Sequence, residues 1–155
     1  MTEIRVALVD VYVLRGSGAS LEVLVLRRAV GGRSAGSWEC VHGHIDEGET
    51  PVQAAVREME EETGLKPTRL YNLSRVESFY SHRRSAVLLI PAFGAFVDSA
   101  VAVALSREHD RAEWLTPAEA RLRVAWPRIR RGLDDAASLL GDGHAGALED
   151  VLRTI

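Results

Sequence analysis

The chain has one cysteine, Cys40, one lysine, Lys66, and no uninterrupted apolar run long enough to cross a bilayer. A lone thiol rules out an intramolecular disulfide framework and fits a reducing cytoplasm, the expected location. With so little lysine, arginine supplies nearly all the positive charge. That suits planar, two-pronged contacts to phosphate, and it equally fits a GC-rich genome. The formal net charge of -3 gives no bulk attraction to nucleic acid or to an anionic membrane. Residues 86–105 come nearest to a membrane span, but Pro91, Gly94, Asp98 and Ser99 interrupt them. A central aspartate costs roughly 2.5–3.5 kcal/mol on insertion. Two strands joined by a turn at Asp98-Ser99 are expected there instead. The N-terminal MTEIRVALVD has no basic segment leading into an apolar core, so no signal peptide is expected.

What is present fits one domain spanning residues 1–155. A chain of 155 residues with 46% hydrophobic content can bury a full core without covalent staples. Arg5 to Leu14 reads as a strand covered on both faces, and Leu21 to Arg28 as its hairpin partner across Gly16-Ser17-Gly18. Gly31 to Gly36 reads as a loop and Trp38 to Ile45 as a short strand. Further strands are expected near Leu70 to Tyr80 and Ser85 to Val97. Helices are expected from Thr116-Pro117-Ala118-Glu119 and over Pro127 to Leu140. Residues 141–155 are expected to be a loosely ordered tail or a brief helix. The pattern gives an α/β or α+β chain.

The most informative stretch is residues 43 to 65, GHIDEGETPVQAAVREMEEETGL. Thr50 as N-cap, Pro51 at the first position, Gln53 completing a capping box and Gly64 at the end delimit one helix. Val52, Val56, Met59 and Thr63 share a face at about 100° per residue. Glu58, Glu61 and Glu62 project from the neighbouring face, while Glu60 points to the far side. Like charges four apart cost roughly 0.2–0.5 kcal/mol, and carboxylates at the negative end of the helix dipole about 0.3–1 kcal/mol each. Local inconsistency in an otherwise well-formed helix points to function. Hard oxygen ligands on one helix face suit Mg²⁺ or Mn²⁺ shared with phosphate. For EMEEE alone, a solvated acidic face would be the simpler reading.

Gly43, Glu49 and Arg57-Glu58-Met59-Glu60-Glu61-Glu62-Thr63-Gly64-Leu65 stand at the spacing of the Nudix box, and the chain resembles the Nudix hydrolases. The resemblance implies an α/β/α sandwich with a mixed β-sheet and cleavage of nucleoside diphosphates linked to another group. It implies Mg²⁺, with Mn²⁺ as the substitute, held by Glu58 and Glu62, by Glu61 directly or through water, and by the Gly43 carbonyl. It implies that Arg57 pairs with Glu49 or Glu61. Val41-His42-Gly43 replaces the common Pro-Gly-Gly entry, a form shared with the subgroup acting on dATP and dihydroneopterin triphosphate. The segment SREHDRAEWL resembles the same subgroup and makes Glu108 the candidate downstream base; a solvated loop glutamate is the alternative.

The resemblance thus leads to a pyrophosphohydrolase turning a nucleoside or pterin triphosphate into the monophosphate and pyrophosphate. The alternatives are hydrolysis of a nucleoside-diphosphate sugar or dinucleoside polyphosphate, or a non-catalytic nucleotide sensor. A small nucleotide is the expected partner, without nucleic acid or membrane, and a homodimer is left open. Arg27, Arg28, Trp38, His42, His82, Arg83 and Arg84 are candidate substrate contacts. Competing with these are an exposed basic turn at residues 82–84 and core packing of Trp38, Tyr80, Trp114 and Trp126. Cys40, His42 and His44 alternate on one strand face; a pocket wall fits them better than zinc, since a fourth ligand is missing.

Overall fold

The computed structural model describes residues 1–155. The strands are β1 (Glu3–Val6), β2 (Leu8–Arg15), β3 (Glu22–Arg28), β4 (Trp38–Glu39), β5 (Val41–His44), β6 (Arg69–Ser81), β7 (Ala86–Phe96) and β8 (His109–Leu115). The helices are α1 (Pro51–Thr63), α2 (Pro117–Arg123), α3 (Pro127–Leu140) and α4 (Glu149–Leu152). All eight strands join one mixed sheet, in which β7 runs parallel to β1 and β2 and antiparallel to β6.

Alternation along β2 explains the layering. Val9, Val11 and Val13 face the core that includes Ala54, Ala55 and Met59 of α1. Tyr12 and Leu14 face the opposite core, with Ile129, Leu133, Ala136 and Leu140 of α3. The period of two therefore produces two apolar layers from one continuous run, and the sandwich follows. Asp10 lies in phase with Tyr12, which sends a carboxylate toward α3.

The sheet splits where the site lies. β2 and β3 pair only at Leu14↔Val23 and Arg15↔Glu22, then part company. β4 stays with β3, while β5 crosses to β2, so the strand expected over Trp38 to Ile45 is interrupted at Cys40. Two diverging partners cannot be followed by one straight strand. Three other expectations change for similar reasons. Arg5 to Leu14 is broken at Ala7, and all of β1 is exposed because it is an edge strand beside β7. No strand follows the turn at Asp98-Ser99; residues 102–105 are irregular and return over Gly64, with the Ala104 amide on the Thr63 carbonyl. The strand pairing with β3 is instead β8, which the sequence pattern did not reveal.

Residues 146–152 form a short 3₁₀ turn and α4, and the last residues bond to Leu70 of β6. No helix is long and apolar enough to cross a membrane.

Candidate active site

Helix α1 carries its caps as its sequence prescribes. The Gln53 amide donates to Thr50 Oγ1 at 3.2 Å and the Thr50 amide to Gln53 Oε1 at 2.9 Å. Gly64 closes the helix at φ 71°, in the left-handed region. The buried stripe is rotated from the expected one. Ala54, Ala55, Met59 and Thr63 form it together with Glu58 and Glu62, while Val52 and Val56 are only partly covered. Two carboxylates thus lie on the buried face of the helix. Small alanines bring α1 close to the sheet, and the acids descend with it.

Arg57 organises the rim. Its Nε and Nη2 donate to the two oxygens of Glu49, both at 2.8 Å, and Nη2 also donates to the His44 carbonyl at 2.8 Å. Nη1 reaches Glu58 at 3.0 Å and Glu61 at 3.3 Å. This two-pronged pair fixes the loop from β5 against the helix. Hydrogen bonding to Arg57 holds the Glu49 carboxyl at about 2.

Glu62 is the opposite case. It is 1% exposed, and neither carboxylate oxygen has a hydrogen-bond partner. Burial pushes its pKa up to about 10, with the charges of Glu108, Glu39 and Glu58 adding to the effect. Glu58 is also raised, by burial first, against the pull of Arg57. A β-carbon at Gly43 would collide with the Glu58 carboxylate, so this glycine is a cradle for that side chain. Glu61 stays largely exposed, so Glu58, Glu61 and Glu62 are not gathered on one point. An orphaned buried carboxylate, a second one beside it and a glycine backbone in contact are a donor set that fits a hard divalent cation.

The split in the sheet opens onto a cavity of about 220 Å³. Arg28, Arg33, Ser34, Glu39, His42, His44, Phe79, Arg84, Trp126 and Arg128 are among the residues that line it. Arg33 and Arg84 lie close enough to His44 to lower its pKa, after burial, the largest cause. Phe79 and Trp126 meet edge to face, with ring centres 6.2 Å apart. Arg28 is a junction: Nε donates to the Arg33 carbonyl at 2.8 Å, and Nη1 lies 3.3 Å from Glu39 and 3.9 Å from Glu108. Glu39 is buried and also meets His109 Nε2 at 2.8 Å. Glu108 lies in the loop before β8, and its charge is felt by both Glu58 and Glu62.

The sequence candidates therefore divide. Arg28, His42 and Arg84 line the cavity; Glu58, Glu62 and Glu108 face one another near it. Arg27 points elsewhere and pairs with Asp110 at 2.7 Å. His82 and Arg83 sit exposed in the β6–β7 turn, outside the cavity lining. Trp38 packs on the α3-side core under Arg123, whose guanidinium is 4.8 Å from the ring centre. Cys40 is enclosed in that same core, whereas His42 and His44 line the cavity. Trp126 both packs on the core and lines the cavity. Sequence reading missed Asp10, Arg33, Glu39, Phe79, His109 and Arg128. Asp10 alone carried a signal, an acid inside an apolar strand run.

Comparison with known proteins agrees with this geometry. The NUDIX domain profile matches residues 5–136. An octanoyltransferase of Myxococcus xanthus is 31% identical over 137 residues, covering 84% of this chain and 36% of that protein, so the chain spans about a third of its length. The asymmetrical bis(5'-nucleosyl)-tetraphosphatase of Rattus norvegicus is 33% identical over 105 residues, covering 66% of this chain and 71% of the relative. The C. elegans Ap4A hydrolase, solved as a binary complex, superposes with a TM-score of 0.71 at 22% identity, covering 86% of this chain and 96% of that one, a likeness of fold. With the box, the sandwich and the profile in agreement, the chain belongs to the Nudix family of phosphoanhydride hydrolases.

Proposed function

We propose that the protein is a Mg²⁺-dependent pyrophosphohydrolase that converts a nucleoside or pterin triphosphate to the monophosphate and pyrophosphate. The observation that carries this reading is Glu62, a buried carboxylate with two unpartnered oxygens, close enough to Glu58 and to the cavity-lining Glu39 to feel their charges. Glu58, Glu62 and the Gly43 carbonyl would hold the cation, with Mn²⁺ as the substitute, and Glu61, bonded to the same Arg57 as Glu58, would join directly or through water. When bound there, the cation would supply charge neutralisation on the phosphates and lower the pKa of a water. Arg28, Arg33, Arg84 and His44 bind the phosphate chain and orient it for in-line attack. Glu108, exposed and close enough to the acids for its charge to act on both, accepts the proton of the attacking water. Arg57 keeps the box loop and helix in register and so preserves the positions of Glu58 and Glu61.

The Val41-His42-Gly43 entry to the box supports the triphosphate over other members of the class. A second reading, asymmetric cleavage of a dinucleoside tetraphosphate, is favoured by the rat relative. Incubation with a panel of triphosphates, nucleoside-diphosphate sugars and dinucleoside polyphosphates separates the two by product. Pyrophosphate with a monophosphate supports the first reading. A mono- and a triphosphate from the dinucleotide, with triphosphates left intact, supports the second. No metal-dependent phosphate release from any of them contradicts both.

A further inference from the structure

We propose that Glu39 and His109 are a buried positioning pair that holds Arg28 on the cavity wall and keeps it from closing on Glu108. The inference rests on the reading above that Arg28 binds phosphate and Glu108 accepts a proton, and it adds what keeps the two apart.

Three neighbouring strands bring these side chains together. Glu39 of β4 lies opposite Leu26 of β3, which belongs to the α1-side core, and Arg28 stands two residues further along β3 in the same phase. His109 of β8 joins them through a bulge. Arg27 is opposite Arg111 and Arg28 is opposite His109, so Asp110 has no counterpart on β3. The extra residue leaves Asp110 to pair with Arg27 at 2.7 Å and encloses His109. The Ala29 amide donates to the Glu108 carbonyl at 2.9 Å, which ties the backbone of that residue to the end of β3.

His109 is a poor choice for packing alone. Its side chain is wholly enclosed, and Nδ1 has no partner. An apolar side chain of similar size would strand no polar atom. What the imidazole offers instead is Nε2, 2.8 Å from Glu39 Oε1. An ionised carboxylate has no proton to give, so Nε2 carries the hydrogen whether or not the ring is charged. Glu39 is itself buried, and the same Oε1 lies 3.3 Å from Arg28 Nη1. One oxygen is thus shared by a donor enclosed in the fold and a donor on a residue that lines the cavity.

Arg28 has a competing partner. Its Nη1 is also 3.9 Å from Glu108 Oε2, on a carboxylate that is largely exposed. Nε donates to the Arg33 carbonyl at 2.8 Å, so two nitrogens of the guanidinium are anchored as long as Glu39 keeps its charge. Once that charge is removed, Glu108 is the one carboxylate left beside Arg28. Closing the remaining gap would turn a long ion pair into a charge-assisted hydrogen bond. Arg28 would then be withdrawn from phosphate, and Glu108 from proton transfer.

The test is a pair of double-variant cycles. Calorimetric binding of inorganic pyrophosphate with Mg²⁺ is compared for Glu39→Gln, Arg28→Met and the double variant. The kcat on a triphosphate is compared for Glu39→Gln in the wild-type and Glu108→Gln backgrounds. Glu39→Gln should weaken pyrophosphate binding about tenfold, and the double variant should bind no more weakly than Arg28→Met alone. Glu39→Gln should also lower kcat about tenfold, a loss that shrinks to about twofold or less in the Glu108→Gln background. His109→Leu should weaken binding about threefold or more. His109→Gln, whose side-chain amide can donate to Glu39 in place of Nε2, should stay within about twofold of wild type. If Glu39→Gln fails to fold, the two His109 variants decide. Losses that multiply in either cycle, wild-type binding in His109→Leu, or a lowered melting temperature with binding and kcat unmoved would make the pair structural only and overturn the proposal. Absence of pyrophosphate binding by wild type would overturn it too. Full turnover in Glu108→Gln would refute Glu108 as the base, and no turnover by wild type would refute the hydrolytic reading; in both cases the binding cycle decides this proposal.

Discussion

Glu62 on α1 and Glu77 on β6 are both buried carboxylates in the same small domain, at 1% and 8% exposure, but their surroundings differ completely. Glu77 accepts from Arg131 Nε and Nη2, each at 2.9 Å, and from Arg75 Nη1 at 3.1 Å. Its pKa is lowered, chiefly by the Arg131 hydrogen bonds. Arg75 in turn pairs with Asp135, so the cluster straps α3 to the sheet. Glu62 has no paired side-chain cation and no well-formed hydrogen bond, only the nearby His42 backbone acting in its favour against three acidic neighbours. A protein that neutralises one buried acid so thoroughly can do so; leaving another unpartnered implies an external partner. Burial alone does not distinguish structural from functional acids, but hydrogen-bond satisfaction does.

The largest expected way to break the comparison is on activity. Glu62→Gln should lower kcat by about 10²–10³, because one charged ligand to the cation is gone while the shape is kept. Near-normal turnover in steady-state assays would place the metal elsewhere. Glu108→Gln should reduce kcat by at least about tenfold with little change in KM, as expected for a group that only moves a proton; full turnover would remove it from the mechanism.

The structural acid should behave in the opposite way. Glu77→Gln should destabilise the fold by about 2 kcal/mol in urea melts, because two arginines lose their charged partner. Its kcat/KM should stay within about twofold, and a large catalytic loss would erase the distinction between the two acids.

Asp10 sharpens the contrast through pH. Burial alone would raise its pKa, but the His42 and Arg128 hydrogen bonds and charges outweigh it and hold the group at about 2, against an ordinary 3.8. A lowered carboxyl contributes stability above the ordinary value and loses it as pH falls toward the folded value. The contribution is about 2 kcal/mol and should vanish between roughly pH 4 and pH 2. Asp10→Asn should flatten that part of a stability-against-pH curve; an unchanged slope would contradict the assignment.

What the sequence revealed follows the range of its signals. Helix α1 was legible to the residue because Thr50, Gln53 and Gly64 act locally. That Glu58 and Glu62 share one side of α1 was legible because one helix fixes their spacing, but that this side is the buried one was not. β8 was missed because HDRAEWL is strand only by virtue of pairing with β3. The break at Cys40 depends on two diverging neighbours, which no local pattern encodes. The cavity was the least legible part. Its walls come from β2 through β7, the β3–β4 and β6–β7 connections and α3, so Glu39, His42 and Arg128 share one cavity only once the chain has folded. Trp38 shows the converse, an aromatic near the box in sequence that turns into the α3-side core.

Thermal melting of wild type and Glu62→Gln, with and without Mg²⁺, tests the central claim most directly. Without metal, the glutamine variant should melt above wild type, since it removes a buried acid that has no partner; a gain of about 1–3 kcal/mol is expected. Adding Mg²⁺ should raise the wild-type melting temperature and leave the variant nearly unmoved. A variant that melts below wild type without metal, yet is stabilised by Mg²⁺ to the same extent, would contradict the account.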